Sequence, residues 1–181
     1  VEDFTIEKSV SIGETLVRPA RRPDLAAAHE IYAHYVATSA ATFELTAPSV
    51  DEWTRRFEGL TAAGLPFVVA ELGDRIAGYA YCSAWKPRPA YRQTVEDSIY
   101  VAPWAAGQGI GGALLDELLR ACAESGVREV LAVVADTGDP ASLILHRKRG
   151  FADAGRLRAV GFKHGRWLDT VLLQRSLADA R

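Results

Sequence analysis

Gly107, Gly109, Gly111 and Gly112 fall within six residues, after the β-favouring run Glu96–Val101 and just before ALLDELLRACAESG. Pro103 ends the run, because proline cannot donate to a central ladder. Leu114, Leu115, Leu118, Leu119 and Cys122 then recur at helical spacing. A glycine inside a helix costs about 1 kcal/mol relative to alanine, and a turn needs only one or two. Glycines clustered where a strand hands over to a helix let backbone N–H groups approach an anion, and the helix N-terminus adds partial positive charge. Glu96 and Asp97 stand at the head of this stretch; strand alternation sends them to opposite faces, so only one can face a cleft. Upstream lies an aromatic and basic cluster, Trp85, Lys86, Arg88, Tyr91 and Arg92, whose guanidinium forks suit carboxylate or phosphinate groups.

A P-loop would need Gly-Lys-Ser/Thr, which does not occur, and a dinucleotide loop would follow the first strand of a βαβ unit. Here the glycines come after several strands and a long helical stretch. The segment Ala106-Gly107-Gln108-Gly109-Ile110-Gly111 instead resembles the acetyl-CoA pyrophosphate loop, Q/R-x-x-G-x-G/A, of GNAT-superfamily N-acetyltransferases. Ala106 replaces the usual Gln or Arg; because such a loop binds mainly through N–H groups, the change weakens the motif more than the chemistry. TSAATFE from Thr38, AWKPRPAYRQTVE from Ala84 and LRAVGFKHGRWLD from Leu157 are similar to stretches of the phosphinothricin N-acetyltransferase group. The matches run in order from Val17 to Leu177.

The resemblance implies an α/β (α+β) GNAT fold, a twisted mixed sheet of about seven strands flanked by about four helices. The fourth and fifth strands of that fold splay to admit acetyl-CoA, here the expected co-substrate. Gly107, Gln108, Gly109, Ile110, Gly111 and Gly112 would hold its pyrophosphate, and backbone groups of Ile99, Tyr100 and Val101 would pair with its pantetheine arm. Asp139 and Ser142 stand where the arm is also held. The family commonly has Asn three residues before Ser142, whereas an ionised Asp139 accepts hydrogen bonds but cannot donate them. Arg147, Lys148 and Arg149 form either a 3′-phosphate contact or a solvated basic face.

Acetyl transfer needs an ammonium to lose a proton and a thiolate to gain one. The resemblance assigns the first task to Glu96, whose ordinary pKa of about 4.3 must rise by partial burial unless it works through water. It assigns the second to His146, where many relatives carry Tyr. Phe43, with Glu44, lies where the family closes over substrate; Phe43, Trp85, Lys86, Arg88 and Tyr91 are the expected acceptor contacts. The expected acceptor is a small amino acid-like amine with an anionic end, of the phosphinothricin or methionine sulfoximine type. The alternatives are another amine (polyamine, aminoglycoside or protein N-terminus) or a non-catalytic coenzyme A sensor. His164, Trp167 and Asp169 read as structural or interfacial, and a homodimer through the C-terminal strands is implied by the resemblance alone.

The positioning elements follow from periodicity and punctuation. Leu16–Arg18 opens a strand. Asp24 is placed to cap a helix over Leu25–Ala37, with Leu25, Ala28, Ile31, Tyr32 and Tyr35 on one face. Ser49 and Glu52 stand in capping-box register for a second helix, with Trp53, Phe57 and Leu60 as its apolar face. Phe67–Leu72 and Arg75–Trp85 form a hairpin about Gly73-Asp74, and Gln93–Val101 is its third antiparallel member. The glycine-rich helix runs to Ser125. Glu129–Ala135 is a buried-type strand, Pro140–Arg149 a short helix, and Phe151–Val160 and Trp167–Gln174 two last strands joined through GFKHGR. Residues 1–14 read as a tail or an extra strand, 15–177 as one acetyltransferase domain and 178–181 as a tail.

The chain has 181 residues, enough to bury a core without staples. Its 21 basic and 23 acidic residues leave a net charge of −2, giving no basic excess for a nucleic-acid partner. No apolar run reaches membrane-spanning length and no secretory leader opens the sequence, so a cytoplasmic setting is expected. Cys82 and Cys122 lack metal spacing and read as small core residues; a bridge between them is left open. His29 and His34 are five apart, the wrong spacing for a shared helical metal site, and no metal is expected.

Overall fold

The computed structural model of the chain describes residues 10–12 and 15–178. Eight strands form one sheet in the order β1-β2-β3-β4-β5-β6-β8-β7. They are β1 Val10–Ile12, β2 Thr15–Pro19, β3 Phe67–Leu72, β4 Arg75–Ala84, β5 Thr94–Val101, β6 Glu129–Ala135, β7 Ala152–Lys163 and β8 Arg166–Ser176. Four α-helices flank it: α1 Leu25–Thr38, α2 Val50–Ala62, α3 Ile110–Glu124 and α4 Ala141–Arg147. Every strand pair is antiparallel except β5–β6. This is the expected mixed sheet, with β1 added beyond the seven strands foreseen. The rest of the expected N-terminal segment, 1–9 and 13–14, and the tail from 179 onward lie outside the described residues.

The parallel pair opens the molecule. Thr94, Val95 and Glu96 pair with Glu129, Val130 and Leu131, and there the β5–β6 ladder stops. From Asp97 to Val101, β5 keeps its register only with β4. Meanwhile β6 continues to Ala135 against β8. The splay expected of the fourth and fifth strands is therefore found between β5 and β6.

Alternation sorts the core into two faces. Tyr79 and Tyr81 of β4 and Tyr100 of β5 meet the rings of α1 and α2: Tyr79 is 5.5 Å from Tyr100 and 5.7 Å from Trp53, and Trp53 stacks on Tyr32 at 4.9 Å. The opposite face is small and aliphatic where α3 packs. A Cβ on Gly78 would come within 2.8 Å of the Tyr100 carbonyl and 3.0 Å of Leu114, so only glycine permits this approach of helix to sheet. Cys82 and Cys122 are free thiols buried on this face, with sulfur atoms 3.2 Å apart.

Two local expectations are revised. Asp24 makes no side-chain cap on α1. Its carboxylate instead takes both amino groups of Arg18 at 2.8 Å and the Arg21 N–H at 2.7 Å, because a bidentate guanidinium outcompetes a lone amide for a buried carboxylate. The segment GFKHGR, expected as a connection, is mostly strand. Lys163 pairs with Arg166, and the turn is His164-Gly165, at φ 51° and 75°, the two left-handed positions that match strand twist in a two-residue hairpin.

Candidate active site

Glu96 sits at the last rung of the β5–β6 ladder, half-buried, on the face turned to α1 and α2. Its cross-strand partner is Ser83. Burial raises the pKa of its carboxyl, the charge of Asp97 raises it further, and Lys86 opposes the shift. A half-buried carboxylate of raised basicity beside a strand opening is suited to accept a proton from an ammonium.

The glycine loop prepares the next stretch of the cleft. Gly107 and Gly109 adopt φ of 78° and 80°, and Gly109 is the left-handed residue from which α3 starts. The first backbone bond into the helix is Ala113 N–H to the Gly109 carbonyl, at 3.1 Å. No N–H from Gly107 through Gly112 donates to a described backbone carbonyl. These donors at a helix N-terminus fit a pyrophosphate. The glycines do different jobs, however. Arg149 lies across Gly112, its Nε donating to the Gly112 carbonyl at 3.1 Å and to Asp116 at 2.8 Å. A Cβ on Gly112 would come within 2.2 Å of that guanidinium, so the absence of a side chain there seats Arg149. The Ile110 side chain is buried in the core. Gln108 folds back to the Trp104 carbonyl at 3.3 Å.

Ile99, Tyr100 and Val101 form the free margin of β5 beyond the splay. The Val101 carbonyl already accepts from the Tyr35 hydroxyl at 2.7 Å. Asp139 is exposed, and its carboxylate accepts the Ala141 N–H at 2.9 Å, which fixes the entry into α4. Its position is thus occupied by a capping task that asparagine could perform equally well through its side-chain oxygen.

His146 departs most from expectation. It is 4% exposed. Nε2 lies 2.9 Å from Asp97 Oδ2 and Nδ1 lies 2.7 Å from the Ser142 carbonyl. A carbonyl can only accept, so Nδ1 carries hydrogen; a carboxylate opposite Nε2 then favours the doubly protonated ring. Burial works against the imidazolium, but the Asp97 hydrogen bond and charge and the Ser142 carbonyl outweigh it, and the pKa is raised. The ring is therefore a buried ion-pair member on the α3/α4 face, opposite Glu96, with neither nitrogen free to serve as the expected acid. Ser142 contributes its carbonyl to this pair.

The expected acceptor cluster is only partly assembled. Lys86 lies 4.8 Å over the Trp85 ring and acts on the charge of Glu96. Arg88 and Tyr91 stand exposed at a surface turn, Pro89–Tyr91, and neither side chain bonds to a described residue. Phe43 belongs to the strap between α1 and α2 and lies against Gly161 of β7, where a Cβ would meet its ring at 2.2 Å. Lys163, 3% exposed, donates to the Thr42 carbonyl at 2.8 Å and anchors the same strap.

A cavity of about 250 Å³ opens beside Ser83, lined by Trp53, Arg56, Phe57, Phe67 and Tyr81 among others. The sequence had marked Trp53 and Phe57 only as a helix face. No periodic signal could show that this face and two strand ends enclose a space. Asp136 and Asp169 both hold Arg156, and Asp169 accepts the Ala159 N–H at 2.9 Å, which stabilises a bulge in β7. Among the described residues no His, Cys, Asp or Glu cluster could hold a metal, and no helix is long and apolar enough to cross a membrane.

Comparison with known proteins identifies the family. The chain is 49% identical over 161 residues to a phosphinothricin N-acetyltransferase of Alcaligenes faecalis, covering 89% of this chain and 82% of that one. It is 34% identical to an L-methionine sulfoximine/L-methionine sulfone acetyltransferase of Salmonella typhimurium, covering 90% and 95%. The solved structure of a GNAT superfamily phosphinothricin acetyltransferase from Sinorhizobium meliloti, in complex with acetyl-CoA, superposes with a TM-score of 0.86 at 46% identity, covering 90% and 88%. The family model of the GNAT acetyltransferase domain matches residues 17–172, and the chain belongs to that family: it is an acetyl-CoA-dependent N-acetyltransferase.

Proposed function

We propose that the protein acetylates the α-amino group of a small amino acid-like acceptor, of the phosphinothricin or methionine sulfoximine type, by direct transfer within a ternary complex. The observation that carries this is Glu96, a half-buried carboxylate of raised pKa where β5 and β6 part. The names of the relatives support the acceptor class.

Bound acetyl-CoA supplies a thioester held by the N–H groups of Gly107–Gly112 and the free margin of β5. Glu96 takes one proton from the acceptor ammonium, directly or through water. The freed nitrogen pair forms the new C–N bond as the C–S bond breaks; the sulfur leaves with its electron pair, and the second proton, which the nitrogen sheds to become a neutral amide, passes to it directly or through water to give the free thiol. A thiol of ordinary pKa, about 8.5, is a tolerable leaving group near neutral pH. Transfer therefore proceeds without His146 as its acid. Lys86, acting on Glu96, pairs with the acceptor's carboxylate, with Trp85 beneath it. Phe43 of the strap covers the acceptor.

The protein works as a homodimer in the cytoplasm. The dimer reading rests on the sheet edge: every residue from Ala152 to Val160 of β7 is exposed. Val160, Phe162 and Trp167 are 51%, 55% and 66% exposed, and the last two rings pair at 5.1 Å. An exposed apolar edge of this kind is normally covered.

The test is a thiol-release assay with acetyl-CoA against phosphinothricin, methionine sulfoximine, methionine sulfone, spermidine, kanamycin and an N-terminal peptide. Turnover should be confined to the amino acid analogues. In Glu96→Gln it should fall about 10²–10⁴-fold, the usual span for a lost general base. The wild-type kcat/KM should rise with pH on a limb whose midpoint lies above the ordinary glutamate value, because Glu96 must be deprotonated to work. Turnover of spermidine or peptide alone would discard the acceptor class, and coenzyme A binding without acetylation of any amine would discard catalysis.

A further inference from the structure

The core holds two nucleophilic groups that acetyl transfer does not use. Cys82 of β4 and Cys122 of α3 are the two cysteines of the chain, and both are 0% exposed. Both are free thiols, and their sulfur atoms lie 3.2 Å apart across 40 positions of sequence.

The packing of α3 on the sheet brings them together. Gly78 and Cys82 are four residues apart on one face of β4, about 13 Å along a strand. Leu114 and Cys122 are eight apart and both buried in α3, about 12 Å along a helix. The helix is let down onto the strand at Gly78, where a Cβ would come within 3.0 Å of the Leu114 side chain. From that contact the two elements run on for nearly equal lengths, and the sulfurs meet at the other end. Helix-on-sheet packing therefore fixes the pair, and no loop has to move to form it.

In the reduced state the contact is a weak S–H···S hydrogen bond. The Cys122 sulfur, burial and the charge of Asp97 all hold the Cys82 thiol in its protonated form. A protonated, buried thiol is a poor nucleophile, so the pair is closed to bulky reagents and to mixed disulfides. A small oxidant reaches it only when α3 lifts briefly from the sheet. Once one sulfur is oxidised the other is already beside it, and a disulfide needs them only about 1 Å closer than they stand.

We infer that Cys82 and Cys122 form a redox modification site, at which a small peroxide converts the two thiols to an intramolecular disulfide that staples α3, the helix rising from the cofactor loop, to β4. In the first step a thiolate attacks one peroxide oxygen, the O–O bond breaks, and a sulfenic acid forms; the departing hydroxide takes up the thiol proton as water. In the second step the other thiol attacks the sulfenic sulfur, the S–S bond forms and the S–O bond breaks, and the hydroxyl leaves with the second thiol proton as water. Two thiols and one hydrogen peroxide give one disulfide and two waters: sulfur is oxidised and peroxide oxygen is reduced. A thiol reductant reverses the bond.

The staple spares the active site. Cys122 stands twelve residues after Ile110, about 18 Å along α3 from the glycine loop. Cys82 pairs with Asp97, on the sheet face opposite Glu96. The bond closes a loop of 40 residues, and its main effect falls on the unfolded chain, whose freedom it restricts.

The experiment treats the folded protein with hydrogen peroxide, stops the reaction with catalase, and reads intact mass, melting temperature and turnover for wild type, Cys82→Ala and Cys122→Ala. The chain contains no methionine, so no other sulfur clouds the mass. Wild type should become about 2 Da lighter, the loss of two hydrogens, as a single chain. It should melt about 5–15 °C higher, keep its turnover, and return to its starting mass and melting temperature with a thiol reductant. Each variant should gain oxygen instead, with no rise in melting temperature; if one folds poorly the other serves. Wild type that gains oxygen without losing hydrogen, that cross-links only between chains, or that stays unmodified where a small free thiol is fully oxidised would overturn the site. An intramolecular bond with no rise in melting temperature would overturn the staple.

Discussion

Replacing His146 by leucine removes one member of a pair that is almost wholly dry. The side chains of His146 and Asp97 are 5% and 1% exposed, joined at 2.9 Å, and the second oxygen of Asp97 has no partner. In the variant the Asp97 carboxylate has lost its one side-chain hydrogen-bond partner among the described residues. Breaking a buried pair from one side costs about 3–5 kcal/mol. A chain of this size loses about 2–4 °C per kcal/mol, so the melting temperature should fall by about 6–20 °C. The pH dependence has a definite sign. The imidazolium is favoured in the fold, with a pKa above 6.5, so its stabilisation is complete below 6.5 and is lost as pH rises through the folded value. Wild-type protein should therefore melt lower at pH 9 than at pH 6, by an amount that Asp97→Asn abolishes. In that variant an amide N–H can donate to a neutral ring whose Nδ1 still bonds Ser142. Arg149 is the other charge felt by the ring. Circular dichroism melts at several pH values read all three proteins, alongside kcat. A His146→Leu variant that melts within about 2 °C of wild type yet loses turnover and its alkaline limb would refute the ion-pair reading and restore His146 as the acid.

Three further outcomes are expected. Gly161→Ala should displace the Phe43 ring, which a Cβ would meet at 2.2 Å, and raise acceptor KM with little loss of stability, because Phe43 is already 37% exposed and can swing outward; kinetics and a melt separate the two. Gly109→Ala forces a side chain into φ 80° at the start of α3, costing about 1–2 kcal/mol, and should raise the KM for acetyl-CoA more than that for the acceptor. Trp167→Lys, at a residue 66% exposed, should leave the fold intact and shift sedimentation from dimer to monomer; a variant that remains dimeric would remove this edge from the interface.

The order of elements was legible because each carries its own local signature. Ser49 caps α2, accepting the Glu52 N–H at 3.1 Å. Gly73 turns the β3–β4 hairpin at φ 64°, and the leucines of α3 are buried at the spacing their periodicity announced. The glycine loop was equally plain, since four glycines at a strand-to-helix junction are a chemical statement in themselves. Glu96 and Asp97 were separable by alternation into opposite faces. Which face held the cleft depended on α1 and α2 packing there.

Pairings between distant segments were not legible. Asp97 and His146 lie 49 positions apart, and nothing in either neighbourhood marks them as partners. The resemblance therefore offered His146 as an acid, where the fold turns α4 inward and engages both nitrogens. Asp24 looked like a helix cap until the fold brought Arg18 to it. The cavity at Trp53, Arg56 and Ser83 needs a helix and two strand ends to converge. By itself the sequence determined what is local: propensity, punctuation, periodicity and an anion-binding loop, each written within a few consecutive residues. Tertiary structure alone decided which carboxylate shares a face with α1 and α2, which histidine is buried and where a cavity opens, because burial and desolvation depend on what the folded chain places opposite each group.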